Sequence, residues 1–117
     1  YVYMLPPVPG NRPLNEYTLM PTHMACMFQP EELRSMQRAG GFSFTKGCPL
    51  MRIESDAPDI LSDPNAGGEL LFDVLADPQQ RHPIEDAELA GRFRAEIARL
   101  MRENDAPAEQ FVRMGLE

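Results

Sequence analysis

Two short loop segments of this chain carry side chains that could bind an anion. Thr22 and His23 lie in one segment, and Thr45 and Lys46 lie in the other, where a glycine follows them. A lysine ammonium attracts oxyanions, and a histidine can donate a hydrogen bond or exchange a proton near neutral pH. Because loops usually present the binding groups of a scaffold, we take these four residues as candidate substrate contacts. The alternative, a solvated lysine and a hydrogen-bonded loop histidine, stays open.

Cys26 and Cys48 are the two cysteines of the sequence. We expect reduced, partly buried thiols, and a single disulfide is the alternative. We do not expect a zinc site, because there is no CxxC motif and His23 and His82 lie far apart in the sequence. We expect His82 to be a surface residue of a turn.

Composition limits the class of protein. The 117 residues include 43% apolar and 25% charged residues, which is typical of one small globular domain. Twelve prolines and eight glycines predict many loops. The formal net charge of −7 argues against nucleic acid and against an anionic membrane surface as partners, since both need clustered Lys and Arg. No apolar run approaches the length that spans a bilayer.

Several short elements must position the candidate loops. Residues 1–4 alternate as in a β-strand, which the following prolines end. Pro30 and the two acids after it predict a short helix that stops at Gly40 and Gly41. Residues 42–45 and 50–53 predict two short strands on either side of the Lys46 loop.

The last third of the chain has the clearest pattern. Residues 70–74 predict a strand, and Asp77-Pro78 predicts a turn. Asp86 is a suitable N-cap for a helix that runs to about Asn104, because the apolar residues that follow recur at helical spacing. A further short helical segment starts at Pro107.

Together these elements predict an α+β fold, with a small antiparallel sheet of three to four strands packed by one long C-terminal helix. A loop-rich insert and a short helix complete it. Such a sheet leaves edges or a face uncovered, so we expect it to pack against something outside this chain. The chain opens on Tyr1 inside a strand-like segment, from which we expect a piece of a longer protein.

Residues 69–84 resemble the segment E-L-Y-D-L-x-x-D-P-x-E-x-x-N-L near the C-terminus of sulfatases, in the alkaline phosphatase superfamily. Phe72 stands in place of the usual Tyr, and Pro83-Ile84 replaces the Asn-Leu pair. Residues 1–4 resemble the family's R-Y-K-Y-I strand, which pairs with that tail. The intervening segment is similar to an insert of a bacterial subgroup, through Y-T-L-M-P-T-H-M at 17–24 and F-S-F-T-K-G-C-P at 42–49.

The resemblance implies that residues 1–117 are a single C-terminal subdomain of a larger hydrolase that cleaves sulfate esters. The insert would span about 5–68 and the strand-turn-helix tail about 69–117. It also implies an upstream catalytic domain that holds a formylglycine and a calcium-like divalent cation. Cys48 precedes Pro49 and Arg52, but this proline sits one residue too early for the family's C-x-P-x-R motif. We therefore assign no catalytic residue and no metal ligand to this chain.

Two other functions stay open. The parent could cleave phosphate or phosphonate esters, which the same superfamily handles, or the chain could be a protein-interaction module. The expected partners are the upstream catalytic domain and an anionic ester substrate, with a homo-oligomer left open. The resemblance is to bacterial proteins of the cytoplasm or the periplasm, and the sequence does not choose between these compartments.

Overall fold

The computed structural model describes residues 1–20, 22–55 and 68–116. They form two compact units. The first, which we call the strand–helix unit, comprises Tyr1–Arg12 and Asp59–Glu117. The second, the three-stranded unit, comprises Pro13–Pro58. In chain order the strands are β1 (Val2–Met4), β2 (Asn15–Thr18), β3 (Gln37–Ala39), β4 (Leu50–Glu54) and β5 (Leu70–Phe72), and the helices are α1 (Ala87–Glu103) and α2 (Ala108–Met114).

In the strand–helix unit, β1 and β5 form a two-stranded antiparallel sheet in which Tyr3 is opposite Leu71. Both strands were predicted, and so was their pairing. On the other edge of β5, the carbonyl of Leu71 accepts a hydrogen bond from the N–H of Ile84. The chain leaving the Asp-Pro turn therefore covers part of this edge. Leu71 and Phe72 are both buried.

Helix α1 packs on this sheet. Asp86 caps it as predicted, because its carboxylate accepts a hydrogen bond from the N–H of Leu89 at 2.9 Å. The helix places the ring of Phe93 parallel to that of Tyr3, with centroids 5.5 Å apart, and near the ring of Tyr1. This aromatic contact fixes α1 to β1.

The proline-rich segment after β1 lies against α2. The N–H of Val8 donates to the carbonyl of Arg113 at 2.8 Å, and the Arg113 guanidinium donates to the side-chain oxygen of Asn11. Gly115 ends α2 in the left-handed conformation at φ +61°. The helical segment predicted after Pro107 is therefore confirmed.

The three-stranded unit has the antiparallel order β2-β4-β3. Its central strand β4 was predicted and carries the most buried large side chain, that of Ile53, which is 1% exposed. Strand β2 was not predicted, because Asn15 and Glu16 interrupt the apolar alternation that signals a strand.

Two local predictions in this unit are wrong. The helix expected from Pro30 to Gly40 is only one 3₁₀ turn at Glu32–Ser35, after which Met36 turns to an extended conformation and β3 begins. The residues of β3 pair with β4 in an antiparallel ladder, which takes the place of the hydrogen bonds of the predicted helix. The strand expected at residues 42–45 is a second 3₁₀ turn, Ser43–Thr45. A side-chain hydrogen bond from Thr45 holds this turn.

The predicted α+β class is confirmed, with one long C-terminal helix on an antiparallel sheet. The described strands differ from the predicted single sheet in forming two sheets, of two and three strands. Between β1 and β2, Pro6, Pro7 and Pro9 supply no backbone N–H, so a ladder cannot continue through this segment.

Candidate functional site

The predicted contact His23 lies between two carboxylates of the three-stranded unit. Its Nε2 is 2.8 Å from Oε1 of Glu32, and its Nδ1 is 3.7 Å from Oε2 of Glu16. The imidazole also lies against Phe28, with ring centroids 3.9 Å apart. His23 therefore connects β2, the loop after it and the first 3₁₀ turn.

Glu32 is fixed by a second hydrogen bond. Its Oε2 accepts from the N–H of Gln29 at 2.6 Å. This backbone hydrogen bond, followed by the hydrogen bond from His23, lowers the pKa of Glu32 below its usual value. Both carboxylate oxygens of Glu32 therefore accept a hydrogen bond within the three-stranded unit, which indicates that Glu32 stabilises the fold.

A cavity of about 220 Å³ lies beside His23 and Glu32. The described residues that line it are Glu16, His23, Phe28, Glu32, Ile53, Glu54 and Ser55. Three of these carry carboxylates, and a negative potential in a small cavity repels an anion. The role predicted for His23 in binding an oxyanion stays a prediction, but its surroundings favour a structural role.

Thr22 belongs to the loop that carries His23. Its N–H donates to the carbonyl of Met20 at 2.8 Å, and it forms an isolated antiparallel bridge with Met27. Next to it, the N–H of His23 donates to the carbonyl of Cys26. These bonds close the loop that carries both Thr22 and His23.

Thr45 supplies the hydrogen bonds that hold the second 3₁₀ turn. Its Oγ1 accepts from the N–H of Phe42 at 2.9 Å and lies 3.0 Å and 3.1 Å from the carbonyl oxygens of Phe42 and Cys48. One hydroxyl hydrogen can be donated to only one of these carbonyls at a time. With these local partners, the Thr45 hydroxyl is a turn-forming group.

Lys46 is exposed and follows that turn in the left-handed conformation, with φ 53° and ψ 37°. Its backbone N–H donates to the carbonyl of Ser43. Among the residues that the structure describes, no carboxylate pairs with its side chain. Of the four predicted contacts, Lys46 therefore presents the most available charge.

The four predicted residues fall into two pairs rather than one cluster. Thr22 and His23 share the loop closed by Met27, while Thr45 and Lys46 share the second 3₁₀ turn. Only His23 among them is part of the described cavity lining. The sequence did not single out Glu16 or Glu32 as partners of His23, because glutamates are common on solvated surfaces and these two lie seven and nine residues from it.

Phe44 is the residue of this region that the sequence argument missed. Its ring is 66% exposed and stacks on Phe42, with centroids 5.1 Å apart and an interplanar angle of 8°. Phe42 in turn meets the ring of Tyr17 edge-on at 5.4 Å. The strand predicted here would have placed Phe42 and Phe44 on one face, whereas in the 3₁₀ turn the ring of Phe44 stacks on that of Phe42.

Both cysteine thiols are free and exposed, so the expected partial burial is wrong. The Cys48 thiol lies 3.8 Å from the carbonyl oxygen of Pro49. Within the described ranges, no group of three or more His, Cys, Asp or Glu side chains could hold a metal ion.

In the strand–helix unit, a polar cluster joins Tyr3, Glu69 and Arg94. The Tyr3 hydroxyl donates to Oε1 of Glu69, and the Arg94 guanidinium donates to both oxygens of Glu69, closest at 2.8 Å. Burial, followed by the hydrogen bond to Glu69, raises the pKa of Tyr3 to about 12. Arg94 lowers the pKa of Glu69. The cluster ties β1 and the start of β5 to α1.

The Asp-Pro turn of the same unit is built around Asp77. Its Oδ2 accepts from the N–H groups of Arg81 and His82 at 2.6 Å and 2.7 Å. These bonds, that of His82 foremost, lower the pKa of Asp77. His82 is exposed, as predicted for a turn residue. The Asp77 carboxylate therefore stabilises the turn by accepting hydrogen bonds from its backbone.

Comparison with family models, with curated proteins and with solved structures gave no match to this chain. No helix in the described part of the chain is both long enough and apolar enough to cross a membrane.

Proposed function

We propose that this chain is the C-terminal subdomain of a sulfatase-family hydrolase that cleaves sulfate esters. The observation that carries the proposal is the order of elements: strand β1, an inserted compact unit, strand β5, the Asp-Pro turn and helix α1. The motif resemblance implied that residues 1–4 pair with the tail after an insert. The antiparallel pairing of β1 with β5 is the arrangement this proposal requires.

The small size of the β1–β5 sheet also favours a role within a larger protein. Two strands alone are marginally stable in water, and β1 has no second partner strand among the described residues. Met4 on this strand and Tyr1, which precedes it, remain 46% and 59% exposed. An upstream catalytic domain that adds a strand to β1 would bury this edge.

In this proposal the chain does no catalysis by itself. The nucleophile, a formylglycine, and the divalent cation belong to the upstream domain, which polarises the sulfate ester and stabilises the developing charge. The chain completes the fold and contributes to the walls of the substrate cleft. The three-stranded unit, which carries Thr22, His23, Thr45 and Lys46, supplies the contacts to the anionic ester.

The proposal is tested with the full-length gene product and the 117-residue chain side by side. We expect the full-length protein to hydrolyse 4-nitrophenyl sulfate faster than 4-nitrophenyl phosphate, and the chain alone to hydrolyse neither. Turnover by the chain alone would contradict a non-catalytic role. A full-length protein that prefers the phosphate ester would favour the phosphate or phosphonate hydrolase instead.

A protein-interaction module is the second candidate, and one observation favours it. The loop after β2 exposes four large apolar side chains of a single segment to between 59% and 107%: Leu19, Met20, Met24 and Met27. Exposed apolar groups at this density are typical of a contact surface. Light scattering on the chain decides: a tight dimer at micromolar concentration favours the module, and a folded monomer opposes it.

A further inference from the structure

We propose that the loop after β2 binds a soft monovalent metal ion, copper(I), through sulfur atoms. The ligands are the thiolate of Cys26 and thioethers of the same loop, those of Met20, Met24 and Met27. Thiolate and thioether sulfurs are ligands that copper(I) prefers. The missing CxxC motif argued against zinc, but it does not argue against a metal that methionine can bind. Such a site does not require that the parent be a hydrolase.

Sulfur donors are concentrated in this loop. Three of the eight methionines and one of the two cysteines fall between positions 20 and 27. All four side chains are exposed, and the least exposed of the methionines, Met27, is at 59%. Leucine would supply apolar surface of similar size, so contact with a partner does not by itself explain why sulfur recurs here.

Backbone hydrogen bonds close the loop and bring its two sides together. Thr22 and Met27 form an antiparallel bridge, and the N–H of His23 donates to the carbonyl of Cys26. In such a pair, the Cα atoms of opposite residues lie about 4.5–5.5 Å apart. Met20 belongs to the same closed segment, because its carbonyl accepts a hydrogen bond from the N–H of Thr22.

Methionine side chains on this backbone can adapt to a metal ion. Each is unbranched, has three rotatable bonds and ends in a polarizable thioether. Because none of the three loop methionines is buried, their side chains can turn towards a common ion without disrupting the core. Met24 lies between the paired residues at the end of the loop.

The charges near the loop favour a cation. Glu16 and Glu32 lie 3.7 Å and 2.8 Å from the two ring nitrogens of His23, and negative potential attracts metal ions. Because His23 already contacts these carboxylates, we assign the ion to the sulfurs and not to the imidazole. On binding, the Cys26 thiol releases its proton to the solvent, and the thiolate balances the charge of copper(I).

The two cysteines provide a matched comparison. Both thiols are free and exposed, but only Cys26 lies in the loop that carries three exposed methionines. Cys48→Ser keeps the loop thiol, and Cys26→Ser keeps the other one. In competition with the copper(I) chelator bathocuproine disulfonate under ascorbate, Cys48→Ser should hold copper(I) at least about tenfold more tightly than Cys26→Ser. Equal affinities would overturn the proposal, because any exposed thiol would then suffice.

Leucine substitutions separate a metal site from an apolar contact surface. Met20→Leu, Met24→Leu and Met27→Leu, combined in the Cys48→Ser variant, remove three thioethers but keep apolar side chains of similar volume. We expect copper(I) affinity to fall at least about tenfold, towards that of a lone thiol. Self-association in light scattering should not change. Unchanged copper(I) affinity would mean that the thioethers are not ligands, and the proposed site would be wrong.

NMR identifies the ligands directly. The probe is silver(I) in chloride-free buffer, because it shares the charge of copper(I) and its preference for sulfur. In the Cys48→Ser variant, the first equivalent should shift the methyl signals of Met20, Met24 and Met27. The internal controls are Met4 and Met36, each 46% exposed, whose signals should stay in place. Equal shifts at all exposed methionines would show binding without a defined site and would overturn the proposal.

Discussion

The strand–helix unit and the three-stranded unit use their charged side chains differently. In the strand–helix unit, acids face partners that hold the fold: Asp86 caps α1, Asp77 caps a turn and Glu69 binds Arg94. In the three-stranded unit, Glu16 and Glu32 flank a histidine beside an open cavity, and a lysine is left unpaired by the described carboxylates.

Exposed apolar side chains are arranged differently in the two units. The strand–helix unit buries Leu71, Phe72, Ala98 and Leu116, and the three-stranded unit buries Phe28, Leu50 and Ile53. Both units also leave large apolar side chains exposed, among them Leu75 at 91% in the strand–helix unit. In the three-stranded unit four of them, Leu19, Met20, Met24 and Met27, belong to the single loop after β2. Apolar side chains concentrated in one segment are typical of a contact surface.

The largest effect is expected from Ile53→Ala, which removes a buried side chain from the small core of the three-stranded unit. Removing a side chain that is 1% exposed should lower the free energy of unfolding by about 2–5 kcal/mol. Amide exchange should rise first in β2, β3 and β4. The control Met36→Ala, at a position 46% exposed, should cost under about 1 kcal/mol. Equal losses in the two variants would mean that Ile53 does not organise this unit.

In the strand–helix unit, Asp86→Ala should lower the free energy of unfolding by about 1 kcal/mol, because the N–H of Leu89 loses its acceptor. Urea denaturation followed by the helical circular dichroism signal measures it. Glu85→Ala, which removes a neighbouring charge but not the cap, is the matched control. A larger loss in the control would show that charge near the helix start matters more than the cap.

Glu69→Gln should have a smaller effect, about 0.5 kcal/mol, because the ion pair with Arg94 is partly exposed to solvent. The variant should also lower the pKa of Tyr3. That pKa should stay above 10, since burial is the larger cause of its rise to about 12. Isotope-labelled tyrosine makes the titration visible by NMR. An unchanged Tyr3 pKa would contradict the hydrogen bond to Glu69.

The same tyrosine predicts how alkaline pH acts on the strand–helix unit. Its hydroxyl loses a proton near pH 10 when unfolded and near pH 12 when folded, so the folded state holds the proton longer. Its stabilising contribution is complete below pH 10 and is lost as pH rises through about 12. Tyr3→Phe should flatten this decline in urea denaturation across that range. An equally steep decline in Tyr3→Phe would mean that another group causes it.

The smallest expected effect is that of Met24→Ser in the exposed loop. The Met24 side chain is fully exposed, so the free energy of unfolding should change by less than about 0.5 kcal/mol. Leu75→Ser, at a position of the strand–helix unit that is 91% exposed, is the counterpart. If the loop is a contact surface, only Met24→Ser should reduce self-association in light scattering.

The sequence was a good guide where one physical signal was strong. Asp86 and the helical spacing after it predicted α1, and apolar runs predicted β1, β4 and β5. It failed at Phe42–Thr45, where alternating aromatic residues suggest a strand but the Thr45 hydroxyl bonds within a 3₁₀ turn. It also missed β2, since a strand with polar residues forms there only because β4 supplies its ladder.

The candidate site divides in the same way. The residue types alone pointed to His23 and Lys46, because an imidazole can exchange a proton and an ammonium can attract an anion in any fold. Only the tertiary structure decided that Glu16 and Glu32, seven residues before and nine residues after His23, both engage it, and that a stacked Phe44 accompanies Lys46. Neighbouring residues determine much of the local secondary structure, whereas the charge and the aromatic surface around a side chain depend on segments that folding brings together.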